Sequence, residues 1–434
     1  MKIAIIGTGI AGNFAAWRLA REHDITVYEA RDRIGGHTNT IEVEDGERRL
    51  AIDTGFIVYN DVTYPNFIAL LDELGVASQP SDMSFSVTGG RRGLEYNGSS
   101  LNKLFAQRSN LLRPSFYRML ADILRFNREA PLLLERPAAP QTLEEYLERN
   151  GYSAHFVEHY ILPMGSAIWS ATAERMRAMP AAFFVRFFQN HGLLSINDRP
   201  QWRVIRGGSA RYVEKLVAGH RDRIRTGAAV REIHRRADGV EIRADGCAPE
   251  RYDRVFLACH SDEALKMLTD PSPVEREVLG AIPYQRNEAV LHTDTSLMPR
   301  RRRAWAAWNY NIPRDADRLG GRVTLTYNMN ILQGLVAGRD YCVTLNNTAA
   351  IDPERIIRVI GYEHPVFTER AVAAQARQRE INGVDRIYYC GAYWRYGFHE
   401  DGVVSAIDAL RHFEEDLRSE PHDVAAQRDL RRAG

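Results

Sequence analysis

The first thirty residues restrict the fold of this chain more than any other segment. "KIAIIGTGIAGNFAAWRLAREHDITVYEA", residues 2–30, reads as strand, turn, helix and second strand. Ile3 to Ile6 form a short apolar run of the kind a central parallel strand needs. Gly7, Gly9 and Gly12 follow as GxGxxG. In that pattern the first glycine makes a tight turn, the second lets a pyrophosphate reach the backbone, and the third lets helix and strand pack closely. A helix is predicted from Ile10 to about Glu22, and its first residues, Ile10 and Ala11, aim free N–H groups at phosphates. Ile25 to Tyr28 supply the second strand and lead into Glu29, a carboxylate about 20 residues beyond the glycine turn. It can accept bonds from the ribose 2′- and 3′-hydroxyls and would repel a 2′-phosphate. A glycine loop alone is weak evidence, because βαβ units that bind nothing also carry one. Strand, helix, spacing and acid together predict a dinucleotide site.

A chain of 434 residues is long for one core and predicts two or three lobes. Its 44% apolar and 26% charged content is that of an ordinary globular protein, and a net charge of +1 gives no global field to attract nucleic acid. Cys247, Cys259, Cys342 and Cys390 are far apart and do not read as a metal-ligand set, so buried reduced thiols and no metal are expected. Met1-Lys2 runs straight into the first strand, and no window of about 18 apolar residues occurs. A cytoplasmic protein is the expectation, with room for peripheral contact at the inner membrane face.

The expected architecture is α/β, α+β overall, in two discontinuous domains. Residues 1–77, 202–265 and 380–418 would form the nucleotide domain, with "YDRVFLAC" and "DRIYYCGA" as further buried strands. Residues 78–201 and 266–379 would form a mixed-sheet substrate domain, helical at about 99–200, with 419–434 as a frayed polar tail.

Downstream of Glu29, "EARDRIGGHTNT" brings Ala30, Arg31, a second glycine pair Gly35–Gly36, then His37 and Thr38. "DTGFIVY" adds Thr54, Gly55 and Phe56. The combination resembles the flavin amine-oxidase-like superfamily, including its protoporphyrinogen-oxidase-like members, with a Rossmann-type FAD domain. The resemblance implies tightly held FAD. It places the backbones of Gly35 and Gly36 along the diphosphate and ribityl chain, counts Ala30, Arg31, His37 and Thr38 among the cofactor contacts, and puts Thr54 to Phe56 near the ring and the Val230 backbone at the adenine. His37 stands where relatives usually have a basic residue. "GAYWRYGFHEDGVVSA" would then join a strand ending at Gly391 to a helix starting near Gly402, with Asp401 as N-cap. Gly402 and Val403 would aim the positive helix end at flavin N1 and the C2 carbonyl. Relatives carry an acid after the first of these glycines. Ala392 stands here, which leaves the ribityl contact unassigned. Tyr393, Trp394, Tyr396, Phe398 and His399 are either ring-side residues or packing aromatics. His399, assisted by Glu400 or Tyr393, is the candidate proton acceptor.

"YILPMGSAIWS", "FFQNHGLL", "LLRPSFYRML", "RPQW" and "GFHEDG" narrow the resemblance to a bacterial subgroup similar to the fatty acyl desaturase of furan fatty acid biosynthesis. That likeness implies oxidation of a methyl-branched or unsaturated acyl chain of a membrane phospholipid. An allylic carbon would give a hydride to flavin N5, beside a SAM-dependent, cyclopropane-synthase-like methyltransferase partner. Met164, Trp169, Phe184, Phe188 and Tyr396 are candidate substrate contacts; plain core packing is the alternative for the phenylalanines. Residues 101–130 carry Leu104, Leu111, Leu112, Phe116, Met119, Leu120, Ile123 and Leu124 near helical spacing, with Lys103 and five arginines on the polar side. Such a segment suits an anionic membrane surface or a core helix with a solvated face. Arg300 to Arg303 read as a second phosphate-seeking patch or a solvated loop. The competing functions are a flavin amine oxidase, a redox-neutral double-bond isomerase, and a non-catalytic FAD-bound subunit.

Overall fold

A computed structural model describes every residue except 91–92, 136–138, 196, 198, 313–323 and 420–434. The expected frayed tail lies almost wholly outside the described residues. The chain divides into two compact units, Met1–Gly36 with Leu216–Ala281 and Ala374–Gly434, and His37–Lys215 with Ile282–Ala373.

The first unit is built on five parallel strands: β1 (Lys2–Ile6), β2 (Asp24–Tyr28), β3 (Ile224–Arg225), β4 (Arg254–Leu257) and β5 (Ile387–Tyr389). Their spatial order is 3-2-1-4-5, the order of a doubly wound nucleotide fold. Ile3, Ile5, Val27, Val255 and Phe256 are fully buried, which is why these strands read as unbroken apolar runs. Helix α1 spans Ile10–Leu19 and is shorter than expected. Its last turn closes as His23 N–H bonds Leu19 O, and Asp24 N–H then bonds Met1 O to start β2.

The second unit carries a seven-stranded mixed sheet, in the order Ile356–Pro365, Tyr284–His292, Cys342–Leu345, Thr324–Asn328, Trp308–Ile312, Phe85–Gly89, Leu94–Asn97. Only Trp308–Ile312 and Phe85–Gly89 run parallel. Helices Pro114–Glu129, Leu162–Trp169 and Ala181–Asn190 stand in the stretch expected to be helical.

The unit boundaries differ from the sequence expectation. Residues 37–77 and 202–215 pack in the second unit, because long-range bonds hold them there. Asp53, fully buried, donates its N–H to Gln333 Oε1 at 3.0 Å, while its carboxylate accepts from Ser209 N–H at 2.9 Å, Ser209 Oγ at 2.8 Å and Thr40 Oγ1 at 2.6 Å, which ties both segments together. Trp202–Ile205 pairs with Tyr59–Asn60 and Ser78–Pro80. Conversely, residues 266–281 and 374–379 pack in the first unit. Gln375 Nε2 donates to Tyr393 O at 2.8 Å, and the buried Glu275 takes Arg235 Nη2 at 2.6 Å and the Tyr389 hydroxyl. Replacing Glu275 with alanine removes one of three carboxylate partners from the largely buried Arg235 side chain and takes the acceptor from the buried Tyr389 hydroxyl. The expected cost is about 3–5 kcal/mol in denaturant titration, nearer the low end because Asp270 and Asp385 also touch Arg235.

Of the four cysteines, all free, Cys342 and Cys390 are buried as expected, whereas Cys247 and Cys259 are partly exposed. Two of the four consecutive arginines are held within the chain: Arg301 by Glu95 at 2.7 Å and Arg302 by Asp340 at 3.2 Å.

Candidate functional site

The glycine loop leaves β1 at Gly7, whose N–H bonds Tyr28 O at 2.8 Å. A Cβ on Gly12 would collide with Gly7 O and come within 3.0 Å of the Ala258 Cβ, so glycine there serves helix-to-sheet packing. Gly9 is different. Its φ of −65° and ψ of 179° suit any residue, and a Cβ built on it meets nothing within 4 Å. The chain itself gives no reason for a glycine at this position; the open space is what an approaching ligand requires. The first bond of α1 is Asn13 N–H to Gly9 O at 2.9 Å, so the N–H groups of Ile10, Ala11 and Gly12 precede the helical ladder. No side chain caps this end and no acid lies in its first turn. These features fit a diphosphate.

Glu29, 8% exposed, accepts from Thr8 N–H at 3.0 Å, from the Thr8 hydroxyl and from Arg31 N–H at 2.9 Å. Its carboxylate is thus oriented beside the loop while Ala30 and Arg31 are exposed. Gly35 N–H bonds Thr8 O at 3.1 Å, and a Cβ on Gly36 would come within 2.8 Å of the Gly9 Cα. The second glycine pair therefore lies directly against the first glycine loop. Ala228 N–H bonds Glu29 O at 2.9 Å, which leads the chain past the acid towards Val230.

The far end of the sequence arrives at the same loop. A Cβ on Gly402 would reach within 2.6 Å of Ile10 Cγ2, so the start of the C-terminal helix rests on the start of α1. Val403 is fully buried. Gly391 N–H bonds Ser405 Oγ at 2.8 Å. The helix spans His399–Ser419 and so begins three residues earlier than expected. Asp401 is not its N-cap. It sits in the first turn and reaches back to accept Phe398 N–H at 2.9 Å, fixing the turn that carries Tyr396 and Phe398.

His399, Glu400 and Asp401 are all buried. Burial pushes the His399 imidazole down to about 3, so it is neutral but a weak base. Burial lifts the Asp401 carboxyl up to about 7, against the opposing pull of Phe398 N–H and Arg395. The group poised near neutrality is thus the one sequence reading treated as a cap. Tyr393 and Trp394 are buried with ring centroids 5.1 Å apart at 42°, and the Trp394 indole nitrogen has no hydrogen-bond partner among the described residues.

In the second unit His37 stacks on Tyr362 at 5.1 Å and bonds Glu363 O. Thr38 shares a bond with Tyr212 at 2.5 Å. Thr54 is tied to Asn39 O and the Tyr362 hydroxyl, and Phe56 N–H bonds His37 O at 2.8 Å. A Cβ on Gly55 would collide with His37 O. His37, Thr54 and Gly55 therefore gather around Tyr362 while Thr38 and Phe56 meet Tyr212, and neither tyrosine carries a local sequence signal. Trp169 lies 5.8 Å from Phe184, and Phe184 stacks on Phe188 at 4.1 Å, both phenylalanines fully buried. Met164 and Ile168, one turn apart, are the partly exposed apolar positions of the same helix as Trp169. Tyr396 belongs to the first unit.

The model of the family described as flavin containing amine oxidoreductase matches residues 10–294. The chain belongs to this family. FAD is accordingly its cofactor. AofH of Mycobacterium tuberculosis, named as a flavin-containing monoamine oxidase, is 25% identical over 255 residues, 56% of this chain and 54% of that protein. The chain thus spans about half the length of this curated relative. Among solved structures, cyclohexylamine oxidase from Brevibacterium oxydans has the same fold, with TM-score 0.70 and 16% identity over 96% of this chain and 99% of that one. A CLA-producing fatty acid isomerase from P. acnes superposes with TM-score 0.65 and 16% identity, covering 95% and 98%. No helix among the described residues is long and apolar enough to cross a membrane.

Proposed function

We propose that this flavoprotein oxidises a hydrocarbon chain, desaturating a methyl-branched or unsaturated fatty acyl group of a phospholipid. The observation that carries the reading is the apolar character of two neighbouring helices, which carry the partly exposed Met164 and Ile168 beside the buried Trp169, Phe184 and Phe188. These helices, Leu162–Trp169 and Ala181–Asn190, contain no carboxylate. An ammonium substrate calls for a counter-charge or an aromatic cage, whereas an acyl chain calls for apolar contact alone. The motif resemblance and a fold shared with a fatty acid isomerase support the same substrate class.

In this reading Gly7 to Gly12, with Gly35 and Gly36, hold the diphosphate, Glu29 the ribose, and the Val230 backbone the adenine. Gly402 and Val403 present the C-terminal helix end to the ring, and His37, Thr38 and Thr54 to Phe56 add backbone contacts. Bound FAD supplies a two-electron acceptor for a hydride leaving an allylic carbon, where the existing double bond stabilises the developing positive charge. The chain's own part is to seat that carbon, exclude water and take the proton from its neighbour. Asp401 is a stronger proton acceptor than His399, with Glu400 between them in the chain and Tyr393 before the turn.

The amine oxidase reading rests on the family match and on the Tyr393–Trp394 pair, which resembles one wall of an aromatic cage. Anaerobic mixing of the flavin-loaded protein with unsaturated phospholipid separates the possibilities. Desaturation bleaches the flavin and yields a product lighter by two hydrogens; isomerisation leaves the mass unchanged. Peroxide formation with polyamines, and none with lipid, would overturn the proposal. Bleaching by neither would leave the non-catalytic subunit standing, and co-purification with a cyclopropane-synthase-like methyltransferase would then be its test.

A further inference from the structure

Six of the twelve large apolar side chains exposed among the described residues fall in one short stretch: Leu101, Leu111, Leu112, Tyr117, Leu124 and Leu132. The sequence suggested a single amphipathic helix here. The structure instead shows a short helix at Leu101–Leu104, a tight turn at Arg108–Leu112 and the long helix Pro114–Glu129. The inward face of that helix is spoken for by Phe116, Met119 and Phe126, all fully buried. Its core role and its apolar surface are therefore separate features. Tyr117, Ala121 and Leu124, at i, i+4 and i+7, make a second apolar stripe on the outward side. The stripe is continuous with the preceding turn, since the Tyr117 hydroxyl donates to Leu111 O at 3.1 Å and the Phe105 ring lies 6.1 Å from Tyr117. Leu112 and Leu101 protrude furthest, 88% and 78% exposed.

Cations frame this surface. Lys103, Arg108, Arg113, Arg118, Arg125 and Arg128 stand against only Asp122 and Glu129 in residues 101–134, a balance of six to two. Asp122 is turned inward, 3% exposed, bonded to Ser153 N–H and bridged to Arg118 and Arg125. The Arg118 and Arg128 side chains are 62% and 77% exposed. Single protruding leucines among outward arginines cannot pair well with a second copy, whose own cations would face them. They suit a layer of anionic headgroups over hydrocarbon, where each leucine inserts while the guanidinium groups stay at the phosphates. From this juxtaposition we infer that residues 101–132 form a docking surface for an anionic phospholipid bilayer. The inference holds whatever the enzyme oxidises.

The test is co-sedimentation of the flavin-loaded full chain with vesicles of phosphatidylcholine alone, or of equal parts phosphatidylcholine and phosphatidylglycerol. Partition into the anionic vesicles is expected to exceed that into neutral ones about tenfold or more, and to fall as salt is raised. The double variants Leu101→Ser/Leu112→Ser and Arg108→Gln/Arg128→Gln are each expected to lower anionic partition about tenfold. Val336→Ser, 72% exposed but outside the stretch, is expected to change nothing. All these positions are on the surface, and equal flavin content and melting curves confirm folding. Binding indifferent to lipid charge, leucine variants that bind like the parent, or a concentration-dependent dimer dispersed by the leucine changes would each overturn the inference. Oxidation of detergent-dispersed substrate reads the proposed activity separately, so one can fail without the other.

Discussion

Gly9→Val is expected to yield a folded, colourless protein. The backbone at Gly9 tolerates a side chain, and nothing in the chain lies within 4 Å of its Cβ direction, so the change costs about 1 kcal/mol of helix-end stability at most. The isopropyl group would occupy the space in front of the free N–H groups of Ile10 to Gly12. FAD affinity is expected to fall about a thousandfold, roughly 4 kcal/mol, measured by flavin fluorescence titration of the apoprotein. Gly12→Val supplies the contrast. Its Cβ overlaps Gly7 O, and a destabilisation of about 3 kcal/mol or more is expected before any question of cofactor arises. A yellow Gly9→Val protein with parental affinity would remove the diphosphate from this loop.

Asp401→Asn is expected to slow substrate-driven flavin reduction about 10²- to 10⁴-fold and to abolish its pH dependence. Because the buried carboxyl titrates at about 7, the parental rate should rise as pH passes through that value and the proton leaves. His399, held down to about 3, contributes no inflection between pH 5 and 9, so His399→Ala is expected to lower the plateau yet keep the rise. Stability gives an independent readout. A carboxyl whose folded value is raised stabilises fully below the ordinary carboxylate range and loses that contribution as pH climbs through about 7. The asparagine side chain can still accept Phe398 N–H without acquiring charge, so Asp401→Asn should melt higher than the parent above pH 7. A variant with the parental rate profile would exclude Asp401 as the proton acceptor.

The parts of this molecule that were legible in sequence are those whose cause is local. The β1–turn–α1–β2 unit, its glycines and its acid follow from apolar runs and turn chemistry within thirty residues, and all appear where expected apart from the last turn of α1. The C-terminal helix start was misplaced for an equally local reason. Phe398 is not a residue that marks a helix entrance, so the eye moves to Asp401, which works from inside the first turn. Long-range causes left no trace. The bond from Asp53 N–H to Gln333 Oε1 joins positions 280 apart and ties residues 37–77 to the second unit, and nothing near either residue announces it. Tyr362 was missed likewise, since its value lies in stacking on His37 and bonding Thr54. At residues 101–130, periodicity found the buried stripe of Pro114–Glu129 and obscured the outward one, because both are apolar.

The contact between Gly402 and Ile10 carries a temporal consequence. The phosphate cradle emerges from the ribosome first, but its neighbouring strand β4 and the helix that rests on it follow only after hundreds of further residues have been made. The nascent N-terminal segment must wait, its apolar strand unpaired on one side, until residues 37–215 of the second unit and then β4 have been synthesised. Closure of the Gly402–Ile10 contact is therefore among the last events in the making of the first unit, joining the two ends of the chain only after everything between them exists.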